Sequence, residues 1–321
     1  MAATALCNHS GELEIVQLYH GHGRNSDNTP KLEVGKQNHI SKRARHFSYF
    51  REEFDVSKKF DPLHETNNLR TFLPLDMPLD VSTCYLSDKL SSEIGELINL
   101  RHFDISETNI EGMPIGINRL KDLRSLATFV VVKHGGARIS ELRDLSCLGG
   151  ALSILNLQNI ANANDALEAN LKDKKDIENL VLSWDPSAIA GNSDNQTRVL
   201  EWLQPHNKLK RLTIGYYCGE KFPNWLGDSS FMNLVSLEIK NCKSCSSLPS
   251  LGQLKSLKCL RIVKMDGVRK VGMEFCRNGS SSSFKPFGSL VTLVFQEMLE
   301  WEEWDCSGVE FPCLKELDIV E

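Results

Sequence analysis

One spacing constrains this chain more than any other feature. Phe231, Leu234, Leu237 and Ile239 return 23 residues later as Leu254, Leu257, Leu260 and Ile262. Ile94, Leu97, Leu100 and Phe103 return at the same offset of 23 as Ile117, Leu120, Leu123 and Leu126. Phe287, Leu290, Leu293 and Phe295 return 24 residues later as Phe311, Leu314, Leu317 and Ile319. Apolar residues two apart face the same side of a short strand, and those three apart upstream turn the chain into it. One such unit alone cannot bury its apolar edge, whereas copies stacked in register bury it continuously. The chain is therefore expected to fold by stacking short units.

A period of about 20–29 residues carrying L-x-x-L-x-L is the leucine-rich-repeat pattern. The expected fold is α/β: a leucine-rich-repeat solenoid with a curved parallel β-sheet on the concave face and irregular loops and short helices on the convex face. One anchor per strand gives Phe72, Phe103, Leu126, Leu155, Leu180, Leu212, Leu237, Leu260, Leu293 and Leu317, or about ten units. The segment 163–175 has helical composition with Asn at its start, a convex helix. Segments 185–196 and 277–283 read as loops. The division expected is a poorly ordered tail over 1–36, a linker with an irregular first repeat over 37–92, and the repeat domain over 93–321, irregular near 139–215. The last strand ends at Ile319 with no polar cap, which predicts a chain cut from something longer.

Composition adds exclusions. Of 321 residues, 41% are hydrophobic and 25% charged, with a net charge of -5, enough apolar material for an ordered core. Mild acidity disfavours a general nucleic-acid binder. No apolar run reaches the roughly 20 residues of a membrane helix, and the N-terminus lacks a secretory pattern. The expected compartment is cytoplasmic, with ten reduced cysteines. Lys42-Arg43-Ala44-Arg45-His46 offers a nuclear address or a phosphate contact, although runs this short are usually solvated surface. Three Asn-x-Ser/Thr acceptor patterns, at Asn8, Asn195 and Asn278, are assigned no role without a secretory signal.

Candidate chemistry is sparse. Cys242-x-x-Cys245 is the sharpest metal-like or redox-like motif. A zinc site wants a second such pair, and a redox site wants a βαβ setting. Cys242 instead falls three residues after Ile239 and Cys245 three further on, both at apolar repeat slots, so buried structural thiols are expected. His20-Gly21-His22 lies in the expected tail. No phosphate-binding loop, nucleophile elbow, H-E-x-x-H or dinucleotide fingerprint is present. No catalytic, cofactor or metal site is predicted.

A solenoid binds through its concave face. Alternation places Asn156, Gln158, Val181, Ser183, Thr213, Gly215, Glu238, Lys240, Arg261, Val263, Val294 and Gln296 there. Aromatic and Arg side chains dominate binding hot spots. The contact candidates are Trp184, Tyr216, Tyr217, Glu238, Lys240 and Arg261. Packing of Trp184 and Tyr216 beneath the adjacent loop is the equal alternative. Trp301 and Trp304, three apart, are expected to pack.

A family resemblance follows from particular phrases. Residues 93–102, EIGELINLRH, resemble the "P-x-x-I-G-x-L-x-x-L-R-x-L" phrase of plant nucleotide-binding leucine-rich-repeat disease-resistance proteins. Residues 69–74, LRTFLP, resemble the first repeat strand after their nucleotide-binding module. ISEL at 139–142, LNL at 155–157, ALEANL at 166–171 and LVLSW at 180–184 resemble a segment of the coiled-coil subclass. FPNWL at 222–226, LPSLGQL at 248–254, and LVF at 293–295 with Met298, Trp301 and Trp304 fit that subclass too. The resemblance spans roughly 36–321. It implies a role in plant innate immunity, with the repeats recognising a pathogen effector or a guarded host protein. It also implies packing on a nucleotide-binding switch, here necessarily in another polypeptide. Nucleic acid, membrane and small-molecule substrates are not expected partners. The chain lacks the phosphate-binding loop and Met-His-Asp motif of that family, so nucleotide binding does not carry over. Several repeats look deleted between 74 and 93. Two other readings stand beside this one: a metal- or thiol-dependent enzyme, and a truncated fragment without stable function.

Overall fold

The repeat spacing is realised as a ladder of parallel strands. The computed structural model describes residues 45–50, 66, 68–75, 92–105, 112–187, 193–276, 285–306 and 311–320. The strands are β1 (His46–Phe50), β2 (Thr71–Leu75), β3 (His102–Phe103), β4 (Ser125–Leu126), β5 (Thr128–Val130), β6 (Gly149–Leu155), β7 (Asp176–Ser183), β8 (Arg211–Gly215), β9 (Ser236–Lys240), β10 (Cys259–Val263), β11 (Lys270–Val271), β12 (Thr292–Gln296), β13 (Glu303–Trp304) and β14 (Glu316–Val320). Among the described residues three helices, α1 (Ala163–Glu168), α2 (Ser193–Trp202) and α3 (Met273–Cys276), lie between strands, with short 3-10 turns such as Ser92–Glu96 and Ile139–Asp144.

Strands β1 to β4 form one sheet and β5 to β10, β12 and β14 another, every pair parallel and in sequence order. The two sheets join where β4 and β5 occupy one rung. The amides of Gly149 and Ser153 donate to the carbonyls of Arg124 and Ala127, both at 2.9 Å. Adjacent rungs align the repeated leucines: Leu180 with Leu212, Leu212 with Leu237, Leu237 with Leu260, Leu260 with Leu293. All of these are buried, as are the second residues of each pair, Leu182, Ile214, Ile239, Ile262 and Phe295. The core is thus a strip between the sheet and the convex turns, extended by nearest-neighbour stacking.

One anchor is corrected. Leu152, not Leu155, aligns with Leu180. The register of β6 against β7 shifts by one residue at Gly150/Ala151, with Gly150 at φ +74°. That shift precedes Leu152, and Leu155 with Leu157 repeats the apolar spacing of Leu152 with Ile154, so spacing alone does not choose between the two pairs. Asn156 and Gln158 consequently lie beyond β6, not on the concave strand. Asn156 is left-handed at φ 61°, and the Gln158 side chain accepts from the Asp185 amide at 2.9 Å.

The expected convex helix appears as α1 followed by a 3-10 turn at Leu171–Asp173, and Asn162 caps it by accepting from the Asn164 amide at 3.1 Å. The expected loop over 185–196 is corrected in its second half, because α2 begins at Ser193. The expected loop over 277–283, the tail over 1–36 with His20 and His22, and residues 42–44 of the basic cluster lie outside the described residues.

The convex turns approach closely where glycine follows an apolar residue. A Cβ on Gly227 would sit 1.8 Å from the Ser250 carbonyl oxygen, and one on Gly252 would sit 1.9 Å from that of Cys276. Side chains there would force successive repeats apart. At the far end, β14 has no described strand stacked beyond it. Leu317 and Ile319 are 48% and 55% exposed, although their register partners Leu293 and Phe295 are fully buried.

Candidate protein-interaction surface

The outward positions of consecutive rungs converge on a polar strip. Thr213 of β8, Glu238 of β9 and Arg261 of β10 stand side by side in register. Glu238 bridges two cations, with Lys240 Nζ at 3.2 Å from one carboxylate oxygen and Arg261 Nε at 3.6 Å from the other. Their side chains remain 26% to 44% exposed. Exposed ion pairs of this kind contribute roughly 0–1 kcal/mol to stability. A partner carrying complementary charge can therefore replace them at little cost to the fold.

The strip is bordered by a second ladder. Tyr216, Asn241, Lys264 and Glu297 follow the ends of β8, β9, β10 and β12, each left-handed at φ between 51° and 57°. Each amide donates to the neighbouring rung: Tyr216 to Lys240, Asn241 to Val263, Lys264 to Gln296 and Glu297 to Val320, at 2.7–2.9 Å. This turn swings the chain away from the sheet and leaves each side chain at the concave rim. Lys264 pairs with Glu297 at 3.0 Å, and that hydrogen bond holds its ammonium above the ordinary lysine range.

Two sequence candidates do not belong to the surface. Trp184 and Tyr217 are each 1% exposed. Trp184 follows β7, where the alternation of faces has ended. Its indole nitrogen donates to the Gln196 amide oxygen of α2 at 2.6 Å. Tyr217 meets it edge-on with ring centres 5.0 Å apart, and its hydroxyl donates to the Lys221 carbonyl at 2.7 Å. Burial pushes the Tyr217 hydroxyl well above the usual tyrosine range. These aromatics hold α2 against the stack, joined by Trp225, whose indole donates to the Leu200 carbonyl at 3.1 Å. Of the outward strand positions, Val294 and Gly215 are also buried. The structure brings together Tyr216, Glu238, Lys240 and Arg261, with Lys264 and Glu297 as neighbours that strand alternation alone did not single out.

The remaining chemistry resolves into packing. Cys242 and Cys245 are fully buried at apolar slots. Their thiols lie 3.3 Å and 3.2 Å from the carbonyls of Lys240 and Gly219, to which they donate. Burial pushes the Cys242 thiol up to about 12, which favours the protonated thiol at neutral pH. Trp301 and Trp304 pack on Phe295 with ring centres at 4.9 Å and 5.3 Å. The Asn195 amide donates to the Ile160 carbonyl at 2.8 Å, which ties down that acceptor pattern. Among the described residues no group of three His, Cys, Asp or Glu is placed to hold a metal, and no helix is long and apolar enough to cross a membrane.

Register, parallel strands and buried leucines define a leucine-rich-repeat protein. Residues 139–265 match the family model described as R13L1/DRL21 leucine-rich repeats, and along 90% of its length the chain is similar to plant disease-resistance proteins. It is 41% identical over 370 residues to a disease resistance protein of Arabidopsis thaliana, covering 90% of this chain and 26% of that protein. An RPP13-like disease resistance protein of the same plant is 31% identical over 376 residues, covering 90% of this chain and 36% of that protein. One from Solanum bulbocastanum is 37% identical over 134 residues, covering 42% of this chain and 13% of that protein. The chain therefore spans between a quarter and somewhat over a third of the length of the two Arabidopsis relatives. Among solved structures, an internalin of Listeria monocytogenes covers 80% of this chain and 82% of its own at 14% identity and a TM-score of 0.41. The Drosophila Toll–Spatzle complex covers 91% of this chain and 42% of its own at 14% identity and a TM-score of 0.42. Those superpositions are loose, and the fold rests on the register above.

Proposed function

We propose that the chain is a protein-recognition module of plant defence, binding a pathogen effector or a guarded host protein through its concave strip. The observation that carries this reading is the in-register surface of Thr213, Glu238 and Arg261, with Lys240 and Tyr216 beside it. Its charges are solvated and only weakly committed to one another, the condition under which electrostatic complementarity selects partners. The homology to disease-resistance proteins supports the biological setting. The same strip, or the convex turns, would pack on a nucleotide-binding switch module. The reading is one of binding without a catalytic step, in the cytoplasm. It is supported by Cys242 and Cys245, the residues most suggestive of chemistry, being buried as thiols.

The test is affinity capture from infected leaf tissue with wild-type protein and a Tyr216→Ala/Glu238→Ala/Arg261→Ala variant. The variant is expected to keep its circular dichroism and to recover the specific partner at least about tenfold less, a loss equivalent to about 1.4 kcal/mol. Equal recovery by both would exclude this strip as the contact face.

A further inference from the structure

Two cysteines outside the binding strip face each other across successive repeats. Cys276 ends α3 and Cys306 follows β13, and their sulfurs lie 2.9 Å apart with the Cys276 thiol donating. Both are buried, Cys276 completely and Cys306 with 7% of its surface open. They are held by more than chance proximity. Strand β11 pairs with β13, so Lys270 meets Glu303 and Val271 meets Trp304. The Asp305 amide donates to the Val271 carbonyl at 2.8 Å, and Lys270 bridges to Glu303 at 2.8 Å. This convex two-stranded sheet fixes the backbone on both sides of the sulfur pair. The sulfurs need approach by less than about 1 Å to reach bonding distance.

We propose that Cys276 and Cys306 are a thiol–disulfide modification site, oxidised by a hydroperoxide to a reversible staple between two repeats. Cys306 is the attacking sulfur, because it retains the open surface and accepts the Cys276 hydrogen bond, which holds its thiol below the ordinary cysteine range. Its thiolate attacks the peroxide oxygen, the O–O bond breaks, and with hydrogen peroxide one water leaves after proton transfer, giving a sulfenic acid. The Cys276 sulfur then attacks that sulfenic sulfur, the S–O bond breaks, and a second water leaves. Two thiols lose two protons and two electrons, and one peroxide becomes two waters. A low-molecular-weight thiol reverses the bond by exchange. The other described cysteines lack this arrangement. Cys242 and Cys245 donate to separate carbonyls, and Cys147 and Cys313 are exposed.

The experiment uses the full chain, reduced, exposed to hydrogen peroxide, alkylated and digested for mass spectrometry. The expected result is a peptide linking Cys276 to Cys306, lost on treatment with dithiothreitol, with a rise in melting temperature that dithiothreitol also reverses. Cys306→Ser should abolish both the link and the shift. The wild-type peptide map decides the question even if that variant folds poorly. Recovery of alkylated Cys276 and Cys306 under conditions that oxidise Cys147 or Cys313 would overturn the proposal. So would their conversion to sulfinic acid without a link, or linkage to another cysteine.

Discussion

Lys174 is 3% exposed, yet its ammonium donates to the Leu145 carbonyl at 3.0 Å. Desolvation is the larger influence and lowers its pKa to about 8, against the smaller opposing pull of Asp144 and Asp173. Below pH 8 the folded and unfolded forms both hold the proton, and the folded form bears the full cost of burying the charge. Between about pH 8 and the ordinary lysine range the folded form releases it first, so the unfolded form binds more protons and stability rises with pH. A Lys174→Met variant removes that dependence. Chemical denaturation should show its stability relative to wild type declining as pH goes from 7 to 10, and a constant difference would refute the account. Nothing in the sequence marked Lys174, because lysine is by default a surface residue. Trp184 is legible as important, with the binding face and packing beneath the adjacent loop as equal alternatives, and the structure takes the packed one. Replacing it with Phe keeps the ring and leaves the Gln196 amide oxygen without its 2.6 Å partner, at a cost of about 1–3 kcal/mol. Partner capture should be unchanged once the protein is folded. A Trp184→Phe protein that melts like wild type would show that the indole bond contributes little.

At the scale of the element, identical positions in the repeat are not energetically equal. Leu237 and Leu317 occupy the same register slot, but Leu237 is fully buried and Leu317 is 48% exposed. Leu237→Ala should cost about 2–5 kcal/mol, whereas Leu317→Ala should cost less than about 1 kcal/mol. Matched urea denaturation curves compare them, and equal losses would contradict the burial. Gly252 shows the convex counterpart. Its α-hydrogen faces the Cys276 carbonyl where a Cβ would lie at 1.9 Å, so Gly252→Ala should destabilise by about 1–3 kcal/mol through displacement of that turn. These slots were readable because L-x-x-L-x-L fixes both the inward face and the turn into the strand. Residues 150–158 were not readable. Leu155 and Leu157 imitate the spacing of Leu152 and Ile154, the pair that the register aligns with Leu180 and Leu182. Helix α2 was missed in part because the polar start of the segment 185–196 looks like loop until Val199 and Leu200 bury against the stack.

For the whole molecule, the ladder has no centre. Each rung contacts mainly the rung before and after it, so stability is a sum of local unit and neighbour terms. A rung stacked on both sides gains two interfaces and β14, among the described strands, gains one. Opening from the β14 end therefore costs less than opening at β8 or β9, and exchange need not be a single global event. Native-state hydrogen exchange should show amides of Leu237 and Ile239 protected most and those of Leu317 and Ile319 least, with a graded rise between them through β12. Oxidation linking Cys276 to Cys306 should steepen that gradient on the β14 side by joining the repeats of β10 and β12. Uniform protection from β7 to β14 would mean that the strands open as one cooperative unit, and nearest-neighbour stacking would then be the wrong account of this fold. A gradient with the concave strip inside its protected part would also suit the recognition role proposed for it. Glu238 and Arg261 stand on strands braced from both sides, so a partner meets a surface whose backbone does not need to be ordered on binding.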